Sequence, residues 1–380
     1  MQTGYDLDMV RDAVRAYVVD NIAPNAAAWD RDHTFPAEAL KGLAALGCFG
    51  IPVPERWEGA GLDYTAMAVI LEEIAAGDGA TSTIISVNNC PVCSILMAWG
   101  NDAQKERWLK PLASGRMLGA FCLTEPQVGS DASALRTTAT PKADGSGYLI
   151  NGVKQFITSG KHGDVAIVLA VTDRAAGKRG ISAFLVPTDS PGYAVARLED
   201  KLGQHASDTA QIRFEDCFVP AENLIGEAGA GYRIALSGLE GGRIGIASQA
   251  VGMARAAFEA ALLYARQREA FGQPIFNHQA VQFRLAEMAT QIEAARQLIA
   301  HAARLKDAGL PCLKEAAMAK LFASEMAERV CSDAIQVHGG YGYVSDFPVE
   351  RIYRDVRVCQ IYEGTSDIQK ILIGRALAAG

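Results

Sequence analysis

The chain has 380 residues, 49% hydrophobic and 21% charged, with a formal net charge of -7. That is enough apolar material for two or three domains, each with its own core. The acidic balance, without a polybasic tail or a basic-aromatic stripe, argues against nucleic acid as a partner.

From Tyr5 to about Leu118 the periodicity is helical: Leu7, Val10, Val14, Tyr17 and Val18 recur at spacings of three and four. Gly50, Pro52, Pro54, Gly59 and Gly61 interrupt it, and it resumes over 64–75 with Met67, Ile70, Leu71 and Ile74 on one face. Residues 80–99 read as one buried apolar helix. Within it, Cys90-Pro91-Val92-Cys93 has no second pair to complete a zinc site, so buried free thiols are expected there and at the other six cysteines. No run of 18 uncharged apolar residues occurs, and no basic segment precedes an apolar one at Met1. A soluble intracellular protein without membrane insertion is therefore expected.

From Gly119 to about Ile225 the period becomes two and turn residues multiply. Strands are expected over 147–150, 165–171, 182–186 and 209–218, with turns at 144–147, Asn151-Gly152 and Pro191-Gly192. From Gly231 onward, residues 233–268, 278–307 and 313–337 carry apolar stripes, are rich in alanine and lack interior proline, which predicts a helical bundle. The expected fold class is mainly α with an inserted β domain. The expected domains are 1–118 (helical), 119–230 (β) and 231–380 (helical bundle). No Gly-x-Gly-x-x-Gly follows a strand, and the element order excludes a doubly wound nucleotide fold.

Several stretches exceed what a scaffold needs. Phe121-Cys122-Leu123-Thr124-Glu125-Pro126-Gln127-Val128-Gly129-Ser130-Asp131 offers hydroxyls and N–H groups for a phosphate or a polar ring edge, or simply forms a capped turn. Phe156 and Thr158, two apart on a strand, suit a flat ring with polar edges. Arg266 and Arg268 precede a Gly/Pro break, where they either compensate a helix dipole or bind phosphate. Gln336-Val337-His338-Gly339-Gly340 permits close backbone approach or caps a helix, and His338, with no metal constellation to join, reads as structural. In Leu239-Glu240-Gly241-Gly242-Arg243, Arg243 opens a stretch of helix poor in charge. Glu363, in Ile361-Tyr362-Glu363-Gly364-Thr365, falls on a polar break between ordered elements, and spacing alone does not bring it to Glu240.

In register over some 250 residues, FCLTEPQVGSD (121–131), FITSG (156–160), REAFGQPI (268–275), QVHGGYGY (336–343) and IYEGTSDIQ (361–369) resemble the acyl-CoA dehydrogenase family, and the resemblance covers essentially the whole chain. It implies the acyl-CoA dehydrogenase fold: a helical N-terminal domain, a β-barrel-like middle domain and a C-terminal four-helix bundle. It also implies FAD as cofactor, a homotetramer, an acyl-CoA substrate and electron-transfer flavoprotein as acceptor. Glu363 matches the catalytic base that removes the α-proton while a β-hydride passes to flavin N5, giving a trans-2-enoyl-CoA. Arg243 matches an active-site arginine.

By the same resemblance, Phe121, Leu123, Thr124, Gly129, Ser130, Phe156 and Thr158 contact flavin or thioester. Arg268, Phe271, Gln336 and Gly340 hold the pyrophosphate and adenosine, partly across a subunit boundary. Thr365 and Asp367 add FAD contacts, and Ser130, Glu240, Arg243, Tyr362 and Gly364 line the substrate. Motifs 242–252 and 314–325 look most like short-chain, butyryl-CoA-type members. Short branched-chain (isobutyryl- or 2-methylbutyryl-CoA) activity is the alternative, as is a non-catalytic scaffold of the same fold; acyl-CoA oxidases are usually much longer. The family pattern departs at Gln127 and at Gly203-Gln204-His205. The resemblance implies the cytoplasm for a bacterial protein and the mitochondrial matrix for a eukaryotic one.

Overall fold

The computed structural model describes residues 5–379. Helices α1 (Leu7–Asn21), α2 (Ala26–Asp32), α3 (Ala37–Ala45) and α4 (Tyr64–Gly77) begin the chain. Asp6 and Asp63 cap α1 and α4 by accepting first-turn N–H groups. Their apolar faces meet in a core of Val14, Val18, Leu40, Leu43, Ile70, Leu71 and Ile74.

The single helix expected over 80–99 is broken. α5 (Gly79–Val87) and α6 (Ser94–Trp99) are joined by a wide π-type turn, Asn88–Cys93, in which Cys90 leaves helical geometry ahead of Pro91. Proline has no N–H to continue the ladder and restricts the residue before it. Asn88 and Asn89 compensate: Asn88 Nδ2 donates to the carbonyls of Phe49 (2.8 Å) and Leu112 (3.1 Å), and Asn89 Nδ2 to Cys48 (2.8 Å). By length and composition Gly79–Trp99 could cross a membrane, but it lies mostly inside this core. Two short helices follow, α7 (Asp102–Gln104) and α8 (Lys110–Ala113).

The β domain holds β1 (Gly119–Cys122), β2 (Thr138–Pro141), β3 (Gly147–Thr158), β4 (Val165–Val171), β5 (Ile181–Pro187), β6 (Tyr193–Leu198), β7 (Thr209–Pro220) and β8 (Leu224–Ile225). Their order is β6-β7-β3-β2-β4-β5-β8, and β1 runs parallel along β4 from Gly119↔Val165. Every residue of β4 is buried, which is why it reads as an unbroken apolar run. The turn expected at Asn151-Gly152 is not there. β3 continues through it with a bulge, and Asn151 exchanges hydrogen bonds with Asp216 at 2.9 and 2.8 Å. The glycine instead admits Thr137, whose Oγ1 would lie 2.5 Å from an added Cβ.

Three long helices follow: α9 (Gly231–Gln267), α10 (Gln279–Asp307) and α11 (Leu313–His338). A hairpin, β9 (Glu269–Ala270) with β10 (Gln273–Pro274), reverses the chain between α9 and α10. α12 (Val349–Val356) and α13 (Ser366–Ala378) complete the bundle, with α13 against α11. α4 packs on α9 closely enough that a Cβ at Gly252 would lie 2.2 Å from the Glu72 carbonyl. The fold class is the one expected, mainly α with an inserted β domain. All eight cysteines are buried free thiols.

Candidate active site

The chain leaves a 3₁₀ turn at Arg357–Gln360 and enters α13, whose N-cap is Thr365. Between them Glu363 (φ 51°) and Gly364 (φ 94°) are both left-handed. Glycine takes that region freely, whereas a residue with a side chain does so at a cost of about 1 kcal/mol. The strain persists because the turn is held from several sides. The Gly364 carbonyl accepts from Lys320 Nζ (2.8 Å) and Gln369 Nε2 (2.8 Å), and Gln369 also reaches the Glu363 carbonyl at 3.3 Å. Tyr362 donates its hydroxyl proton to Gln249 on α9.

This turn aims the Glu363 side chain at α9. Both carboxylate oxygens are buried and lack a protein partner, and they occupy the space beside Gly242. The next residue, Arg243, is 4% exposed, and its Nε and one terminal nitrogen are likewise unpartnered. Burial pushes the Glu363 carboxyl up to about 7, against the pull of the Arg243 and Lys320 charges. Burial also lowers Arg243 below the usual guanidinium value. A carboxylate in so dry a place, titrating near neutrality with free lone pairs, is suited to accept a proton from carbon.

Glu240, one turn earlier, adds its charge to that felt by Arg243 while its carboxylate is engaged elsewhere. Its carboxylate accepts from Lys306 Nζ (2.7 Å) and the Cys312 thiol (3.4 Å), tying α9 to α10 and to the loop before α11.

On the β domain, Phe121, Leu123 and Thr124 are half-buried, while Gly129 and Ser130 are exposed. Two residues that spacing did not single out shape this loop. Lys154, fully buried, donates to Glu125 Oε1 (2.8 Å) and to the Leu123 carbonyl (3.1 Å). Glu125 also accepts from the N–H groups of Arg136 (2.7 Å) and Thr137 (3.0 Å). The Thr124 carbonyl accepts from Gln155 N–H at 2.8 Å, which brings the 121–131 loop onto the strand bearing Phe156 and Thr158. Ile157 points into the core, while Phe156 is 62% exposed and Thr158 half-buried on the opposite face, as the two-residue spacing requires.

A third patch lies elsewhere. Arg268 and Gly340, with Tyr264, His338, Gly339 and Tyr341, line a surface cavity of ≈ 610 Å³. Phe271 is 95% exposed and Gln336 is exposed. At about 1.5 Å per residue, Arg268 stands about 37 Å along α9 from Arg243. One chain therefore does not bring the third patch to the first. The His338 Nδ1 contacts the Ala334 carbonyl (2.8 Å), and its ring stacks on Tyr264. Thr365 caps α13, and Asp367 is exposed in its first turn, as suits the helix dipole.

The departures from the family pattern also have places. Gln127 donates to Glu125 (2.7 Å). Gln204 joins three regions, with its N–H on Asp355 and its Oε1 accepting from Thr83 (2.6 Å). His205 lies between Asp30 (2.9 Å) and the Lys201 carbonyl (2.7 Å), stacked on His33.

Comparison with known proteins covers the chain from end to end. The profile of the acyl-CoA dehydrogenase N-terminal domain matches residues 5–116, that of the middle domain 120–217 and that of the C-terminal domain 229–378. Short-chain specific acyl-CoA dehydrogenase, mitochondrial, of Rattus norvegicus is 47% identical over 365 residues, 96% of this chain and 88% of that protein. Butyryl-CoA dehydrogenase of Megasphaera elsdenii superposes with a TM-score of 0.95 at 40% identity, covering 100% of both chains. A chain solved in work on the electron transferring flavoprotein of Acidaminococcus fermentans gives 0.96 at 43% identity, again covering 100% of both. The protein belongs to the acyl-CoA dehydrogenase family, whose enzymes are FAD-dependent.

Proposed function

We propose that the protein removes the α-proton of a short-chain acyl-CoA thioester with Glu363 and releases the trans-2-enoyl-CoA. The observation that carries this is the Glu363 carboxylate, with both oxygens buried and unpartnered beside Gly242 and opposite a buried arginine. When bound, FAD supplies the acceptor for the β-hydride. The α-proton passes to the Glu363 carboxylate, and the C–H pair left on the α-carbon becomes the new double bond as the β-hydride departs. Arg243 stabilises the ionised base through its charge without taking its proton. The fixed turn holds the carboxylate in one place beside Gly242.

Three features of this chain suit FAD. The exposed face of Phe156 beside Thr158 offers a stacking surface with a polar edge. The 121–131 loop, including Gly129 and Ser130, presents open backbone, for nothing lies within 4 Å of a Cβ added at Gly129. Arg268 and the bare Gly339-Gly340 backbone suit a phosphate chain. The distance between the first and third patches supports a reading in which Arg268, Phe271, Gln336 and Gly340 serve the cofactor of another copy, and a homotetramer is the assembly proposed for it. Electron-transfer flavoprotein is proposed as the acceptor that reoxidises the flavin.

The test is anaerobic titration of the FAD-loaded protein with butyryl-, isobutyryl-, 2-methylbutyryl- and octanoyl-CoA, following flavin bleaching. Butyryl-CoA should bleach fastest. A faster isobutyryl- or 2-methylbutyryl-CoA would shift the assignment to branched substrates, and a colourless protein that takes up no FAD would leave only a scaffold. The base must be ionised to act, so kcat/KM should rise with pH through about 7 and level off above it.

A further inference from the structure

Lys320 lies in the middle of α11, fully buried, in the apolar run Ala316-Ala317-Met318-Ala319-Lys320-Leu321-Phe322-Ala323. Buried Lys154 answers the carboxylate of Glu125 and half-buried Lys306 that of Glu240, whereas half-buried Lys201 donates to the Ser207 carbonyl and the Thr209 hydroxyl. The Lys320 ammonium donates to the carbonyl of Gly364, the residue after the proposed base. Desolvating an ammonium for a neutral acceptor is expensive, and a methionine would fill the same volume without that cost. The Gly364 carbonyl is also the one that Gln369 Nε2 reaches from α13, so donors from two helices converge on a single peptide group.

We propose that Lys320 is a positioning residue for the base: it clamps the Gly364 carbonyl, locks the left-handed Glu363–Gly364 turn, and places a positive charge behind the carboxylate. The proposal rests on Glu363 being the base. Fixing the Gly364 peptide plane fixes the direction of the preceding residue, whose own φ is strained and would relax if released. The charge also has a chemical consequence. Glu363, Cys359 and Arg243 are the titratable groups facing Lys320, and of the two cations Lys320 is the one bonded to the base's own turn. Burial draws the ammonium down to about 8, which still lies above the value of about 7 for Glu363.

The experiment uses the FAD-loaded protein and two variants, Lys320→Met and Gln369→Leu. Rapid-mixing reduction by butyryl-CoA should slow by about ten- to a hundredfold in Lys320→Met, with KM little changed, the size expected when a charge-assisted hydrogen bond and the aim of a base are lost. The acid limb of its pH profile should move to higher pH. Gln369→Leu removes a donor from the same carbonyl but no charge, so it should slow reduction and leave the limb in place.

A second readout separates proton removal from hydride transfer. A 3-thia-acyl-CoA carries sulfur at the β-position and stops after α-deprotonation, so the pH midpoint of its long-wavelength flavin band should rise in Lys320→Met only. Wild-type rate and an unmoved limb in folded, FAD-loaded Lys320→Met would overturn the proposal, as would activity lost only in step with FAD binding. If Lys320→Met does not fold, a wild-type rate in Gln369→Leu overturns it. Retained reduction in Glu363→Gln, by contrast, would remove the base assignment itself, whatever Lys320 does.

Discussion

At Gly242 an added methyl would lie 2.1 Å from Oε2 of Glu363, well inside any allowed contact. The carboxylate and the helix backbone therefore share a space that only glycine leaves open. Gly242→Ala should fold, since alanine is the better helix former by about 1 kcal/mol. It should nevertheless push the carboxylate aside and slow flavin reduction by about a hundredfold. Circular dichroism with stopped-flow reduction separates the two effects, and a wild-type rate would mean that the carboxylate acts from somewhere else. The buried carboxyl also has a stability sign. Its folded pKa is raised from 4.5 to about 7, so the native state holds this proton more tightly than the unfolded chain does. Its contribution favours the fold below about 4.5 and is lost as pH rises through 7. The base thus costs most stability in the pH range where it works.

At the scale of elements, the 121–131 loop is held by the buried pair of Lys154 and Glu125, at 0% and 1% side-chain exposure. Burial lowers the Lys154 pKa, with Glu125 opposing, and the Glu125 carboxyl sits below its usual value because Lys154 and two backbone N–H groups outweigh its own burial. Lys154→Met leaves that carboxylate buried without its cation and should cost about 3 kcal/mol in urea unfolding. Loss of FAD affinity should accompany it, because the loop between Leu123 and Gly129 would lose its anchor. These partners lie 29 residues apart, and Lys320 lies 44 from Gly364. Periodicity has no access to such pairs.

What periodicity does reach is long and regular. The helices expected at 233–268, 278–307 and 313–337 match α9, α10 and α11 to within two residues at each end. β4 matches its expected span because it is buried on both faces. β1 and β2 have four residues each, too few for a period, and β6 is an edge strand with mostly exposed side chains. The Cys90-Pro91 break was hidden in a uniformly apolar run. Asn151-Gly152 read as a turn because the sequence shows the glycine but not Thr137 pressing against it.

Across the whole molecule, one buried polar chain links the turn of Glu363 to each domain. Tyr362 donates to Gln249, Gln249 to Thr83, Thr83 to Gln204, and the Gln204 N–H to Asp355. Thr83 lies in the N-terminal helices, Gln204 after the last residue of β6, and Gln249 and Asp355 in the bundle. Burial pushes Asp355 up to about 7, with Arg351 opposing, so the end of this chain titrates near the same pH as Glu363. Breaking a satisfied buried network of this kind is costly, so the three domains are held to one mutual arrangement around the turn. The buried thiols turn that coupling into something a reagent can time. Cys48, Cys90 and Cys93 belong to the N-terminal helices, Cys122 and Cys217 to the β domain, and Cys312, Cys331 and Cys359 to the C-terminal region. Each reacts with a maleimide only when its own surroundings open. Mass spectrometry of peptides taken at intervals would give eight opening rates from one unlabelled, unmutated protein. Rates that agree across all three groups would mean that the molecule opens as a unit, and rates that cluster by group would show which domain lets go first.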